Sequence, residues 1–349
     1  MSQELYKQLT YLIPTRNRPQ FLRRLFTFMD IMNERAAIQV IDSSQLEDQE
    51  RNRILVEEFG KRLNLQYKFA DLPMVTKCRQ AVEQVTTPYL AFCADDDFLL
   101  PDAVYSCVDF LSHKPDYSCA QGIMVSLITD QQNRCTKLRG YSLEDDSPIR
   151  RFQRLAANWY TVFHSVYRTP TIVKAFQVTD DTCDDIRARI FPEFMLSQMS
   201  VILGKVKFFP YLYILREEHA SNESVVTPNV HDQENIRELY NDFRDCLAQQ
   251  LADASKITID VTTPVVDKYF GYLRDGGKVL ATKKKTLWFR LRRETIRLAQ
   301  QFHDLLHRDA ILQRRRLNLT SPICRNEAWQ TAHQLMVKYP HGINNDKTI

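Results

Sequence analysis

The sequence predicts an α/β fold, a mostly parallel sheet flanked by helices, with a mainly helical C-terminal extension. Three observations predict it. Through Leu111, short apolar and β-branched runs alternate with segments of helical periodicity. The links between them are short, as strand–helix–strand units require. Beyond Ser224 the chain becomes polar, then basic, with apolar residues at helical spacing.

Leu9 to Ile13 reads as the first strand, closed by Pro14. Phe21, Leu22, Leu25, Phe28 and Met29 then share one side of a helix from Phe21 to Met32. Ala37 to Ile41 is a second strand ending in the turn cluster Asp42-Ser43-Ser44. Arg51 to Leu63 reads as helix, Leu65 to Phe69 as strand, Val75 to Val85 as helix and Tyr89 to Cys93 as strand. A helix follows Leu100-Pro101-Asp102 and runs to about Leu111. Tyr117 to Leu127 and Thr161 to Tyr167 read as further strands, Phe191 to Leu203 as helix, and Val206 to Leu215 as a strand pair. Past a boundary near residue 225, Pro228 to Ala254 reads as helix, Ile257 to Pro264 as extended, and Lys283 to Arg316 as basic helix. Residues 1–225 are thus expected to form an α/β unit, and 226–349 a helical, basic region.

Composition excludes several classes. The 349 residues are 44% hydrophobic, enough for a core, and Lys+Arg 47 against Asp+Glu 43 leaves a net charge of only +4. That balance argues against a dedicated nucleic-acid protein. With only 8 glycines the chain has neither GxGxxG nor GxxxxGK[ST]. No apolar stretch approaches the ~20 residues that span a bilayer. The N-terminus lacks a basic segment followed by an apolar one, and the 8 cysteines form no CxxC pair. Reduced thiols and no secretory signal lead us to expect a cytoplasmic protein.

In open parallel sheets, ligands sit beyond the carboxyl ends of the strands. Thr15-Arg16-Asn17, Asp42 and Asp95-Asp96-Asp97 all follow strands at that edge. The triplet is the sharpest feature, because three adjacent carboxylates repel one another and yet lie between Leu90-Ala91-Phe92-Cys93 and Leu99-Leu100. Hard oxygen ligands at a strand end suit Mg²⁺ or Mn²⁺ bridged to a diphosphate. The bland alternative is an acidic turn that favours the helix starting near Asp102.

In order along the chain, Ile13-Pro14-Thr15-Arg16-Asn17-Arg18, Val40-Ile41-Asp42-Ser43-Ser44 and Phe92 to Asp102 resemble the GT-A glycosyltransferases, particularly the family 2 group. Pro192-Glu193-Phe194-Met195-Leu196, Gly204-Lys205-Val206, Leu215-Arg216 and His219 extend the likeness over roughly residues 8 to 224. The resemblance implies a metal-dependent, inverting transfer from a nucleotide-sugar donor to a glycan or lipid-linked acceptor. It implies nucleotide-sugar contacts from Thr15, Arg16, Asn17, Asp42, Asp95 and Asp96, and a Mn²⁺ or Mg²⁺ ion held by Asp97 with Asp95 or Asp96 and by His219. Ala94 stands where many members have their first Asp, so the nucleotide-facing role falls to Asp95 or Asp96. In the acceptor half an acidic pair supplies the catalytic base; here Glu193 matches, with Asp184 and Asp185 as rivals.

Lys77 and Arg79 precede the triplet and could reach phosphate oxygens, or form a solvated helix face. His164, within an aromatic run, reads as a core histidine. From Lys283 to Arg316 eleven Lys and Arg stand against three acidic residues, beside Trp288, Leu291, Leu298, Phe302 and Leu305. Such a segment packs on the catalytic unit or, over 281–316, meets an anionic membrane surface from the cytoplasmic side. No nucleic-acid module is recognisable. The alternatives are a sugar-phosphate nucleotidyltransferase and an inactive GT-A glycan-binding scaffold.

Overall fold

The computed structural model describes residues 4–128, 134–138, 140–183, 190–218, 236–275 and 325–343. The first half is built as expected. Strands β1 (Leu9–Thr15), β2 (Ala37–Asp42), β3 (Leu65–Phe69) and β4 (Tyr89–Phe92) alternate with helices α1 (Pro19–Ile31), α2 (Leu46–Phe59) and α3 (Met74–Val82). All three contacts among these strands are parallel, and Thr15 pairs with Asp42, which pairs with Phe69. The three strands therefore end level with one another.

After β4 come the two-residue strand β5 (Phe98–Leu99), α4 (Pro101–His113), β6 (Tyr117–Ile128), β7 (Arg134–Leu138), α5 (Pro148–Ala157), β8 (Val166–Arg168), α6 (Thr169–Thr182), α7 (Ile190–Leu203) and β9 (Lys205–Glu218). The sheet order is β3-β2-β1-β4-β8-β6-β9-β5, with β7 also on β6. The β4–β8, β8–β6, β6–β7 and β9–β5 contacts are antiparallel, and β6–β9 is parallel. The sheet thus changes from a parallel half to a mixed half at β4.

Alternation along the strands divides the core in two. Leu9, Tyr11 and Ile13 pack on one face with α1, α2 and α4. Leu12, Leu90 and Phe92 pack on the other with α3, α5, α6 and α7. The C-terminal helices join both faces. Helices α8 (Ile236–Ser255) and α9 (Ile259–Phe270) bury Phe243, Leu247, Val266 and Phe270 in the second core. Helix α10 (Glu327–Lys338) buries Trp329, Ala332 and Met336 in the first.

Three expectations need correction. Ile257 to Pro264 is not extended; it opens α9. Its β-branched residues favour a strand, but the Thr262 hydroxyl donates to Ala248 O at 2.8 Å, and Val266 and Phe270 are buried, Phe270 with its ring against Phe243 of α8 and Phe194 of α7. Tertiary packing overrides that local propensity. Of Thr161 to Tyr167 only the end is strand, because a turn from Ser165 N to Val162 O occupies the start. Val206 to Leu215 is one strand and not a pair. Its register on β6 jumps between Gln121–Phe208 and Ile123–Leu212. Pro210, which has no N–H for the ladder, falls inside that jump. Gly122 lies opposite, where an added Cβ would stand 2.6 Å from Tyr211 O.

No helix among the described residues is long and apolar enough to cross a membrane. The basic segment 281–316 lies outside the described residues, as do Asp184, Asp185 and His219.

Phe243 packs its ring against Phe191 of α7 and Phe270 of α9, with centroids at 5.2 and 5.5 Å. We expect Phe243→Ala to cost about 3–5 kcal/mol. Because α8 shares the core of the sheet, thermal unfolding should remain a single transition at lower temperature. A separate early transition with the main one unmoved would show that α8 and α9 fold independently.

Candidate active site

The triplet sits in a turn between β4 and β5. Asp97 N donates to Ala94 O, and Phe98 and Leu99 pair with Leu215 and Ile214 of β9. That pairing draws the turn back across the carboxyl ends of the parallel strands. Asp95, Asp96 and Asp97 are 4%, 6% and 1% exposed, so water compensates their charge poorly.

Cations and hydroxyls from separate elements compensate it instead. Thr15 Oγ1 donates to Asp95 Oδ2 at 2.7 Å. Arg18 Nη1 donates to Asp95 Oδ1 at 3.3 Å and to Asp96 Oδ2 at 2.9 Å. Arg216 Nε, at the end of β9, donates to Asp97 Oδ2 at 3.2 Å. The other oxygen of Asp97 is buried and has no hydrogen-bond partner among the described residues. Burial and mutual repulsion still outweigh the cations. Asp95 is pushed up to about 6 and Asp97 to about 7, with burial the largest cause in both.

Lys77 is brought to the site. Its ammonium is buried and donates to Ser43 Oγ at 2.7 Å and to Thr15 O at 3.2 Å. It therefore joins the ends of β1 and β2, and burial lowers its pKa despite nearby Asp42 and Asp95. Asp42 is fully buried and organises the loop after β2, accepting from Ser44 N, Asn52 and Tyr67 at 2.7, 2.9 and 2.8 Å. Asn17 has a positive φ of 55°, which lets its N donate to Ser44 Oγ and its side chain accept from Gln45 N. Arg16 is exposed beside this junction. Arg79 is placed elsewhere. It pairs with Asp180 and Asp181 of α6 and with Glu83, and so ties α3 to α6.

Glu193, in the first turn of α7, opens to solvent. Crowding by its neighbours nevertheless raises its pKa, while the positive charge of Arg216 works the other way. Arg216 thus lies within electrostatic reach of both Glu193 and Asp97. His164 is buried as expected of a core residue, but its Nδ1 stands 3.9 Å from Asp97 Oδ2, and burial pushes it down to about 3. It is neutral near pH 7.

Sequence reasoning did not single out Arg18, Arg216 or His164 for the site. Arg18 and Arg216 stood inside the resemblance motifs and could have been named as partners for three carboxylates needing cations. Nothing local marks His164.

Both raised carboxyls bind protons more tightly in the folded chain than in the unfolded one. Their effect on stability therefore becomes less favourable as pH rises from the ordinary 3.8 through about 6 and 7. Asp97→Asn removes one of them. We expect its Tm to exceed that of the wild type by a margin that grows from about pH 5 to about pH 8. Calorimetry over that range checks this, and a margin that stays flat contradicts it.

No protein-family model matches the sequence, and no curated protein matches it either. Solved structures do. Residues 1–349 of S. aureus TarS align with a TM-score of 0.51 at 12% identity, over 79% of this chain and 76% of that one. The same protein in complex with UDP-GlcNAc aligns with a TM-score of 0.52, at the same identity and coverage. At that identity the likeness establishes architecture, and the chain has the GT-A fold.

Proposed function

We propose that this protein is a glycosyltransferase that moves a sugar from a nucleoside diphosphate sugar to an acceptor hydroxyl, with inversion at the anomeric carbon. The observation that carries the reading is the buried triplet, gathered beyond the ends of the parallel strands beside Thr15 and Lys77 and linked through Arg216 towards Glu193. The UDP-GlcNAc complex of a protein with this fold supports a UDP-linked sugar as the donor class.

The residues fit a divalent ion. Among the described residues Asp97 offers a buried oxygen with no partner, and burial holds Asp95 and Asp97 above the ordinary carboxyl range, so a bound cation would favour their charged forms. Among the described residues no three ligating side chains form a cage. One or two carboxylates completed by substrate phosphate oxygens is the usual arrangement for Mg²⁺. Asp97 with Asp95 or Asp96 would hold Mn²⁺ or Mg²⁺, which when bound supplies charge neutralisation on the leaving diphosphate.

The chain's own groups do the rest. Thr15, Arg16, Asn17 and the Asp42 loop face the nucleoside, and Arg216 stands ready for diphosphate charge. Glu193 takes the proton of the acceptor hydroxyl as its oxygen bonds to the anomeric carbon, and the bond to the diphosphate breaks on the opposite side. The raised pKa of Glu193 makes it a better base than a fully solvated carboxylate. The composition of 281–316 favours an acceptor carried on a lipid.

Thermal shift with UDP, GDP, dTDP and CMP, with and without Mn²⁺, tests the donor assignment. We expect UDP with Mn²⁺ to raise Tm most, because ligand that binds only the folded state stabilises it. Asp97→Ala should abolish the Mn²⁺-dependent part, and an unaltered increment would refute the metal assignment. Glu193→Gln should keep nucleotide affinity and lose at least ~10²-fold in transfer rate. Full rate in that variant would move the base elsewhere, and no nucleoside diphosphate release by wild-type protein would leave a binding scaffold.

A further inference from the structure

Behind the triplet, the guanidinium of Arg24 gathers contacts from three distant parts of the chain. Arg24 lies within α1, fully buried, on a helix that also buries Phe21, Leu25 and Phe28. Its Nη1 donates to Glu217 Oε2 at 2.6 Å and to Tyr339 O at 3.0 Å, and its Nη2 donates to Asp96 O at 3.1 Å. The rings of Phe21 and Phe98 lie 5.2 and 5.4 Å from the guanidinium carbon. The other oxygen of Glu217 accepts from His341 N at 3.3 Å. Both side chains of the ion pair have no exposed surface.

A buried ion pair is a poor way to stabilise a core, since apolar residues of similar volume often do as well or better. What apolar residues cannot do is donate hydrogen bonds to two main-chain carbonyls. One of those carbonyls belongs to the triplet. Alternation along β9 explains how. Arg216 turns towards the site and holds the Asp97 carboxylate, while its neighbour Glu217 turns the other way and holds Arg24. The turn is gripped by its side chain from one direction and by its main chain from the other.

We propose that Arg24 is a positioning residue that sets the Asp95–Asp97 turn, and that docking of residues 339–343 completes its seat. The docking is specific. Ile343 N donates to Gln20 O at 2.8 Å, and Ile343 is fully buried. Gly342 adopts φ +97°, and a Cβ there would stand 2.5 Å from the Gln20 carbonyl. A side chain at position 342 therefore meets both backbone strain and a main-chain clash, and pries the segment off α1. The C-terminal segment is thereby connected to the carboxylates through one side chain.

The proposal rests on the function above only for its turnover readout; hydrogen exchange of ligand-free protein tests it independently. Three variants serve. Arg24→Lys keeps the charge but loses the forked donor. Arg24→Met with Glu217→Leu strands no buried charge, so it should fold with a cooperative transition. Gly342→Val leaves the site residues intact. In the double variant, amide exchange in peptides covering 93–99 should quicken about tenfold or more, with peptides of β1 and β2 unmoved. Donor hydrolysis should fall by up to about 10²-fold, chiefly in kcat. Arg24→Lys should recover part of both. Gly342→Val should shift both the same way by less, and add little to the double variant, because coupled residues are not additive. Unchanged exchange at 93–99 in the double variant overturns the proposal. So does exchange that rises equally throughout the chain, which would mark a purely structural pair. Absence of hydrolysis by wild-type protein would count against the function and leave the exchange result to decide the role of Arg24.

Discussion

Three consecutive carboxylates, none more than 6% exposed, set the electrostatic problem around which this end of the molecule is built. Removed from water, they would repel one another and unfold the turn unless positive charge came from nearby. No single element could supply it. Arg18 comes from the loop after β1, Lys77 from α3 and Arg216 from the end of β9. Each cation brings a separate part of the fold to the same place, so balancing the charge and assembling the site are one event.

The compensation is incomplete. Among the described residues one oxygen of Asp97 has no partner, and burial keeps Asp95 and Asp97 above ordinary carboxyl values. Under the proposed function, these carboxyls would meet a divalent cation and the phosphates it carries. The same low-dielectric setting keeps His164 neutral, so it adds no positive charge beside Asp97 near pH 7.

The change from a parallel to a mixed sheet at β4 provides the space for this arrangement. Thr15 and Asp42 end level on neighbouring parallel strands, and the chain after Phe92 leaves the sheet to form the triplet turn. It returns as β5 against β9, beyond the bulge opposite Gly122. That bulge decides which β9 side chains face the site, since one residue of slip reverses them. The C-terminal helices belong to the same design, with α8 and α9 closing one core and α10 reaching the rear of the triplet through Tyr339.

The parallel half of the sheet, the helices between its strands, and the carboxyl edge that gathers Thr15, Asp42 and the triplet were all legible in the sequence. Those features follow from local periodicity, which a strand or helix must show wherever it packs. The sequence also determined that Asp95-Asp96-Asp97 is an unusual group in an apolar setting, because clustered charge is visible without coordinates. Only the tertiary structure decided the partners. Arg18 lies 77 and 78 positions from Asp95 and Asp96, and Arg216 lies 119 positions from Asp97, yet they meet in space, as His164 does with Asp97. Arg79, two residues from Lys77, points to α6 instead, because successive helix positions face different directions. The β-branched start of α9 likewise took its form from α8 and α7. Propensity is a local bias of fractions of a kcal/mol, and burial of Val266 and Phe270 outweighs it.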